Sequence, residues 1–144
     1  MKKAVVFLVL TFAFCGLCFS QAGNTVKVTV EITNVVVNGG KVILAIFATS
    51  ESFKEEKPEI TFELQDDKTS LFKEVSLARG EYVVTALQDA NNNKLCDYDH
   101  LGLPKELVGI SNYSGHGFPT KSFDHQKILI DEKTGTVIIG LYKF

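Results

Sequence analysis

The chain is short of cysteine. It has three, Cys15, Cys18 and Cys96, and the first two lie in a segment with the pattern of a removable leader. Once that leader is removed, Cys96 has no partner in its own chain, so no internal disulfide can form. The stability of the fold must therefore come from its apolar core and from any ion that it binds.

An excess of basic residues is also lacking. The 144 residues contain 15 Lys and Arg against 17 Asp and Glu, which gives a net charge of −2 at pH 7. Nucleic-acid binding depends largely on patches of Lys and Arg that neutralise phosphates. Since the sequence has no such patch, we expect no nucleic-acid partner.

The first 20 residues have the parts of a secretory signal peptide. Lys2 and Lys3 form a positive start, residues 4–14 form an apolar run, and Cys18 and Ser20 place small side chains before the expected cleavage point. The run is well short of the roughly 20 residues that a membrane-spanning helix needs. The sequence thus predicts an exported protein, periplasmic or extracellular, with no membrane span after cleavage. An uncleaved membrane anchor is the alternative.

Cleavage leaves residues 21–144, about the size of one domain. Without Lys2 and Lys3, 13 basic residues face 17 acidic ones, a net charge of −4. Strand-like alternation or short apolar runs, separated by turn residues, occur seven times in this domain. These segments are 26–32, 42–48, 60–64, 71–77, 82–88, 127–131 and 136–143.

Turn residues predict how some of these strands connect. Asn38 and Gly39 predict a hairpin between the first two strands, and Thr134 with Gly135 predicts another between the last two. The pattern as a whole predicts an all-β fold, a single antiparallel β-sandwich of about seven strands, transthyretin-like or immunoglobulin-like.

Two further features complete the predicted fold. One short helix is expected at about 52–57, because Ser52 and Glu55 have capping-box spacing and Pro58 would end it. Residues 89–124 form a long loop with little periodicity, of a length that is uncommon in a compact domain. Because this loop contains many apolar side chains, we expect it to be ordered rather than disordered.

The start of that loop has the spacing of a calcium-binding loop. Asp89, Asn91, Asn93 and Asp97 occupy positions 1, 3, 5 and 9, and the main-chain carbonyl of Leu95 occupies position 7. Calcium takes six to eight oxygen ligands, and short Asp and Asn side chains on alternate residues can converge on one ion. The sequence therefore predicts calcium as a cofactor.

The match to a calcium loop is incomplete. Lys94 holds the sixth position, where glycine makes the sharp turn, and His100 holds the twelfth instead of a bidentate glutamate. Asp99 or Glu106 could complete the coordination shell. The competing interpretation is a plain turn in which Asn and Asp side chains bond to their own backbone.

Two other chemistries remain as alternatives. Cys96, His100, His116 and His125 are ligand types for copper or zinc, although their spacing matches no ordinary zinc pattern. A periplasmic copper- or zinc-handling protein would use them.

A serine hydrolase is the other alternative. It would use Ser111 or Ser114 with His116 and a loop aspartate. The segment Gly109-Ile-Ser111 lacks the second glycine of a nucleophile elbow.

Several motifs together carry a family resemblance. They are Gly80-Glu-Tyr82, Asp89-Ala-Asn91-Asn-Asn93, Asp97, Gly102-Leu-Pro104-Lys-Glu106 and Gly109-Ile-Ser111-Asn112. On these the chain resembles the bacterial domain-of-unknown-function family 2141, with Lys94 in place of the glycine of the family pattern. The resemblance covers most of residues 26–143. It implies a small exported β-sandwich protein and no established activity.

The combined interpretation is an exported, non-enzymatic β-sandwich. Its loop at 89–106 would bind calcium through Asp89, Asn91, Asn93, Leu95, Asp97 and Glu106. It would act as a binding or accessory module, with an unknown protein or glycan at the cell envelope as partner.

The signal peptide makes a direct prediction about the exported protein. Because the positive start, the apolar run and the small residues occur together, we expect the exported form to begin at Gln21. Intact-mass spectrometry of the exported protein measures this, with the pyroglutamate form of Gln21 as an expected variant. A mass that retains Met1 would contradict the prediction.

Overall fold

The computed structural model describes residues 25–113 and 115–144. The predicted signal peptide, with Cys15 and Cys18, lies outside these residues. The described chain is mostly β-strand, so the predicted all-β class is confirmed. Its elements are β1 (Thr25–Thr33), β2 (Lys41–Phe47), α1 (Ser50–Lys54), β3 (Ile60–Leu64), β4 (Leu71–Ala78), β5 (Gly80–Asp89), β6 (Leu107–Ile110), α2 (Phe123–Gln126), β7 (Ile128–Ile130) and β8 (Thr136–Gly140).

The first sheet has the order β4-β1-β8. Strand β1 is antiparallel to β4 and parallel to β8. Apolar and polar residues alternate strictly along β1, and their burial alternates in the same way. Val28, Val30 and Ile32 are fully buried, while the residues between them are not. One face of this strand therefore lines the core and the other faces solvent.

The second sheet has the order β3-β2-β5-β6. Strand β2 is central, as its apolar sequence predicts, with β3 on one edge and β5 on the other. The beginning of β5 pairs with β7, and its end pairs with β6. Strand β5 thus connects the most partners, and its last residue, Asp89, begins the predicted calcium loop.

Both sheets contribute to one hydrophobic core. The first sheet supplies buried side chains from β1, β4 and β8, and the second supplies them from β2, β5 and β7. A smaller cluster contains Phe47, Val83 and Phe123, with the Phe53 ring 5.3 Å from that of Phe47 in an edge-to-face arrangement. Through this smaller cluster, α1 and α2 pack against one end of the second sheet.

Both predicted hairpins are wrong. Strands β1 and β2 lie in different sheets, because β4 and β8 already occupy the two edges of β1. Asn38 does take a positive φ of 59°, and the amide of Gly39 bonds to the Val36 carbonyl at 3.0 Å. The turn therefore carries the chain from one sheet to the other. Strands β7 and β8 also separate, since β7 pairs with β5 and β8 with β1.

The structure has eight strands and one parallel pair in its described part, where the sequence predicts about seven antiparallel strands. Helix α1 begins earlier than predicted, because Thr49 and Ser52 form the capping box instead of Ser52 and Glu55. Helix α2 is not predicted by the sequence pattern. No helix in the described residues has the length and apolar character needed to cross a membrane.

Backbone hydrogen bonds join the two sheets where β6 passes the end of β8. Val108 and Tyr142 exchange backbone hydrogen bonds of 3.0 and 2.9 Å. Gly109 lies beside them, and a Cβ atom there would be 2.4 Å from the carbonyl oxygen of Gly140. Only glycine permits this approach without a shift of the backbone.

We predict that Gly109→Ala lowers the free energy of unfolding by about 1–3 kcal/mol, because its Cβ would overlap main-chain atoms. The matched control is Gly135→Ala, since a Cβ at Gly135 meets nothing within 4 Å. Urea denaturation of both variants measures the difference. Equal stabilities would contradict the close approach of the two strands.

Candidate functional site

The candidate site is built around the carboxylate of Asp89. The side chain is 1% exposed although it lies at the end of a strand. Its Oδ1 accepts the amide of Asn93 at 3.2 Å, and its Oδ2 accepts the amide of Lys94 at 2.8 Å. A buried carboxylate needs such partners, so Asp89 folds the following five residues back over itself.

Two asparagines continue this pattern along the loop. Asn91 Oδ1 accepts the Asn93 amide at 3.0 Å, and Asn93 Oδ1 accepts the Leu95 amide at 2.8 Å. Both side-chain NH₂ groups donate to Asp97 Oδ2, at 2.6 Å from Asn91 and 2.9 Å from Asn93. The structure thus brings together the four side chains that the sequence predicts at positions 1, 3, 5 and 9.

Glu106 closes the loop from its far end. Its side chain is 6% exposed. Its Oε1 accepts the amide of Ala90 at 2.9 Å, and its Oε2 accepts the amide of Asp97 at 3.3 Å. Glu106 therefore fixes the first and last parts of the loop to each other, and its carboxylate lies next to the cluster.

The carboxylates of the loop have few positive neighbours, of which Lys94 attracts Asp89 without forming a salt bridge with it. Among the described residues, none of the carboxylates of Asp89, Asp97 and Glu106 forms a salt bridge. Two of these three groups are buried, where an anion has lost most of its hydration. Backbone and side-chain N–H groups are the partners that the loop itself supplies.

The lysine at the sixth position adopts the backbone that glycine would. Lys94 has a φ of 64°, in the left-handed region. For a residue with a Cβ this conformation costs about 1–2 kcal/mol. The turn therefore forms in spite of the departure from the calcium-loop pattern.

The ammonium of Lys94 points away to β3. It lies 2.5 Å from Glu63 Oε1, and Lys41 lies 3.4 Å from Glu63 Oε2. The hydrogen bonds from the two lysines hold the pKa of Glu63 below its usual value, and the bond to Glu63 raises the pKa of Lys94. Lys94 thus forms a salt bridge that connects the loop to strand β3.

Asp99 does not join the cluster. Its Oδ1 accepts the amides of Leu101 and Leu103, at 2.8 and 2.9 Å. The Asp99 amide donates to the Leu103 carbonyl at 2.8 Å, and Tyr98 pairs with Pro104. Residues 97–105 therefore form a small hairpin, which we call the tip hairpin, and Asp99 holds its end.

A family model covers this whole arrangement. The family described as "Uncharacterized protein conserved in bacteria" (DUF2141) matches residues 30–138. The chain belongs to this family. The suspected resemblance is thereby confirmed, and the matched range includes every residue of the candidate calcium loop. No curated protein and no solved structure matches the chain.

The residues of the alternative metal site do not form a cluster. In the part of the chain that the structure describes, no group of three or more His, Cys, Asp or Glu side chains is placed to hold a metal ion. This finding also applies to the acidic loop, where an ion would need the oxygens of Asn91 and Asn93 as well. Cys96 is a free, half-buried thiol, and burial raises its pKa.

Ser111 has a structural role. It is 1% exposed, and its Oγ accepts the Val84 amide at 3.0 Å and donates to the Gln126 carbonyl at 2.7 Å. A nucleophilic serine must be accessible and bonded to a base, and this hydroxyl meets neither requirement. Ser114, the other serine of the hydrolase alternative, lies outside the described residues, and His116 is exposed.

Gln88 has a structural role beside the site that the sequence pattern did not predict. It is 2% exposed, its Oε1 accepts the Val36 amide at 2.9 Å, and its Nε2 donates to the carbonyls of Val36 and Gly40 at 2.6 and 3.1 Å. The signal was the strand period, because Val84 and Ala86 point inward and place Gln88 on the same buried face. A polar side chain on the buried face of a strand predicts a specific hydrogen-bond partner.

The structural role of Ser111 gives a prediction. Ser111→Ala should lower the free energy of unfolding by about 1–3 kcal/mol, because the buried Val84 amide loses its acceptor. The exposed Ser76→Ala is the matched control, with an expected change near zero. Thermal melting measures both, and we expect no labelling of the wild type by a fluorophosphonate probe. Labelling that Ser111→Ala abolishes would show Ser111 to be a nucleophile instead.

Proposed function

We propose that the protein is an exported, non-enzymatic binding module whose loop at residues 89–106 is held in shape by a calcium ion. In this proposal the two sheets form a single β-sandwich of the transthyretin or immunoglobulin type, and the shared core of both sheets supports it. The sandwich provides a rigid base, and the loop provides the surface that a partner meets.

One observation carries the proposal. The Asp89 and Glu106 carboxylates are buried in one loop, both accept its backbone amides, and neither forms a salt bridge among the described residues. A divalent cation bound by these carboxylates would supply positive charge beyond the attraction between Asp89 and the Lys94 ammonium.

The donor set has the chemistry that calcium prefers. Asp89 and Asp97 supply carboxylate oxygens, Asn91 and Asn93 supply amide oxygens, and Leu95 supplies its main-chain carbonyl. The two amide groups now present their NH₂ ends to Asp97, in the place where a cation would be. Binding a cation through these oxygens would need a half-turn of each amide, which would also break the bonds that Asn91 Oδ1 and Asn93 Oδ1 accept from the Asn93 and Leu95 amides.

Glu106 completes the set of predicted ligands. Each of its oxygens accepts one backbone amide, so each has a further lone pair free for a cation. Glu106 lies seven residues after Asp99, the other acidic residue that could complete the coordination shell. It returns to the start of the loop because the tip hairpin folds back between the two residues.

The nature of the donors selects among metals. All six candidate ligands are oxygens, which suit calcium and magnesium rather than zinc or copper. Calcium accepts an irregular shell of six to eight oxygens, whereas magnesium demands a tight octahedron and gives up water reluctantly. Calcium is therefore the ion that fits best.

The partner at the cell envelope is proposed as a protein or a glycan. The observation that supports a binding role over catalysis is the buried, fully bonded hydroxyl of Ser111. The loop surface beside the ion is where we place the partner.

Calcium should stabilise the folded protein. Extracellular calcium modules bind with a Kd on the order of 10⁻⁴ to 10⁻³ M, and at about ten times Kd the gain in unfolding free energy is roughly 1.4 kcal/mol. For a domain of this size the expected rise in Tm is about 3–7 °C. Thermal melting in EDTA, calcium and magnesium measures it, with a smaller rise expected in magnesium.

Two variants sharpen this experiment. Asp89→Asn keeps a hydrogen-bond acceptor but removes the buried charge, so it should abolish the calcium-dependent rise. Asp67→Asn removes an exposed charge elsewhere and should leave the rise unchanged. Identical wild-type melting curves in EDTA and in millimolar calcium would favour the plain Asx turn.

A further inference from the structure

A surface cleft lies between the candidate calcium loop and the solvent-facing side of β2 and β3. It is lined by Asp89, Asn92 and Lys94 from the loop and by Lys41, Ile43 and Glu63 from the two strands. Because Asp89 is otherwise buried, this cleft is where solvent comes close to it. A cation that approaches Asp89 through the cleft passes two lysine side chains.

The ammonium of Lys94 is a positive charge that belongs to the loop itself. Its bond to Glu63 Oε1, at 2.5 Å, raises the pKa of Lys94, and the charge of Asp89 adds to that rise. An ammonium that Asp89 attracts must repel a second cation at the same carboxylate. Lys94 and a calcium ion are therefore competitors for the charge of Asp89.

Glu63 holds this lysine at the edge strand β3. Its Oε1 bonds to Lys94, and its Oε2 lies 3.4 Å from Lys41, which is the register partner of Asp89 across the β2–β5 pair. One carboxylate thus draws both lysines of the cleft to itself, and neither forms a salt bridge with Asp89. Glu63 offsets part of the positive charge that the cleft presents to a cation.

We propose that Lys94 sets the calcium affinity of the loop, and that Glu63 is a positioning residue that limits the repulsion by Lys94. The inference rests on the proposed function, because it concerns the same ion site. The affinity of calcium loops is tuned by the charge count of their residues, and Lys94 subtracts one unit from that count. Calcium therefore binds more weakly than the oxygen donors alone would allow.

The experiment is thermal melting at increasing calcium concentration and low ionic strength, which gives an apparent Kd from the rise in Tm. Lys94→Gln should lower this Kd about fourfold, because it removes the charge but keeps a side chain on the same left-handed backbone. Lys94→Arg keeps the charge and should bind calcium as the wild type does. At about 0.5 M potassium chloride the difference should shrink, since salt screens exposed charges.

Variants of Glu63 separate repulsion from direct binding of the ion. Glu63→Gln should raise the apparent Kd about threefold, because it leaves both lysines without their carboxylate. The double variant Glu63→Gln, Lys94→Gln should bind calcium more tightly than Glu63→Gln alone. If the gain from Lys94→Gln vanishes in the double variant, a released Glu63 binds the ion, and the proposal is overturned.

The matched control is Lys27→Gln on β1 of the other sheet. Lys27 forms a salt bridge of 3.1 Å with Glu74, and its side chain is 75% exposed, against 69% for Lys94. Its loss changes the net charge equally and should leave the apparent Kd unchanged. Equal gains in Lys27→Gln and Lys94→Gln, or a gain in Lys94→Arg as large as that in Lys94→Gln, would overturn the proposal.

The same titrations distinguish this inference from the proposed calcium loop. Equal calcium responses in the wild type and in Lys94→Gln would overturn the role of Lys94 and leave the calcium loop standing. No response in either protein would overturn both. A response in Lys94→Gln with none in the wild type would support the role of Lys94 and overturn calcium stabilisation of the natural chain.

Discussion

A carboxylate buried as deeply as that of Asp89 must have partners, and the loop from 89 to 106 is organised by that requirement. Its two oxygens draw the amides of Asn93 and Lys94 inward, which forces positive φ values at Asn92 and Lys94. Glu106 meets the same need at the other end of the loop. An unpartnered buried charge would cost far more than the strained backbone conformations that supply its partners.

The same end of β5 also joins the two sheets. Gln88 bonds the segment that crosses from β1 to β2, and Asp89 begins the loop that leads to β6. Gly40 lies so close to this point that a Cβ there would be 2.1 Å from the Asp89 carbonyl oxygen. Adjacent residues thus connect the crossover, the central sheet and the candidate site, so a disturbance of one reaches the others.

The sequence predicted best those features that depend on local spacing. The alternation in β1 and the apolar run in β2 placed both strands correctly, because burial on one or both faces leaves a direct pattern. The oxygen spacing likewise found the cluster of Asp89, Asn91, Asn93 and Asp97. Strand partners were predicted badly, because turn residues such as Asn38 fix a local backbone angle but do not determine which sheet the next strand joins.

The separate roles of Asp99 and Glu106 show the same limit within the loop. Both are acidic residues after the cluster, and sequence distance alone favours Asp99 as the nearer. In the structure Glu106 is the nearer of the two to the start of the loop. Asp99 bonds to the turn of the tip hairpin, and the chain then runs back and brings Glu106 to the Ala90 amide. One short hairpin therefore divides the loop into a polar base with two buried carboxylates and a tip that exposes Leu101. The tip hairpin depends on this base, because the Lys105 amide bonds to the Asp97 carbonyl and the Asp97 amide bonds to Glu106.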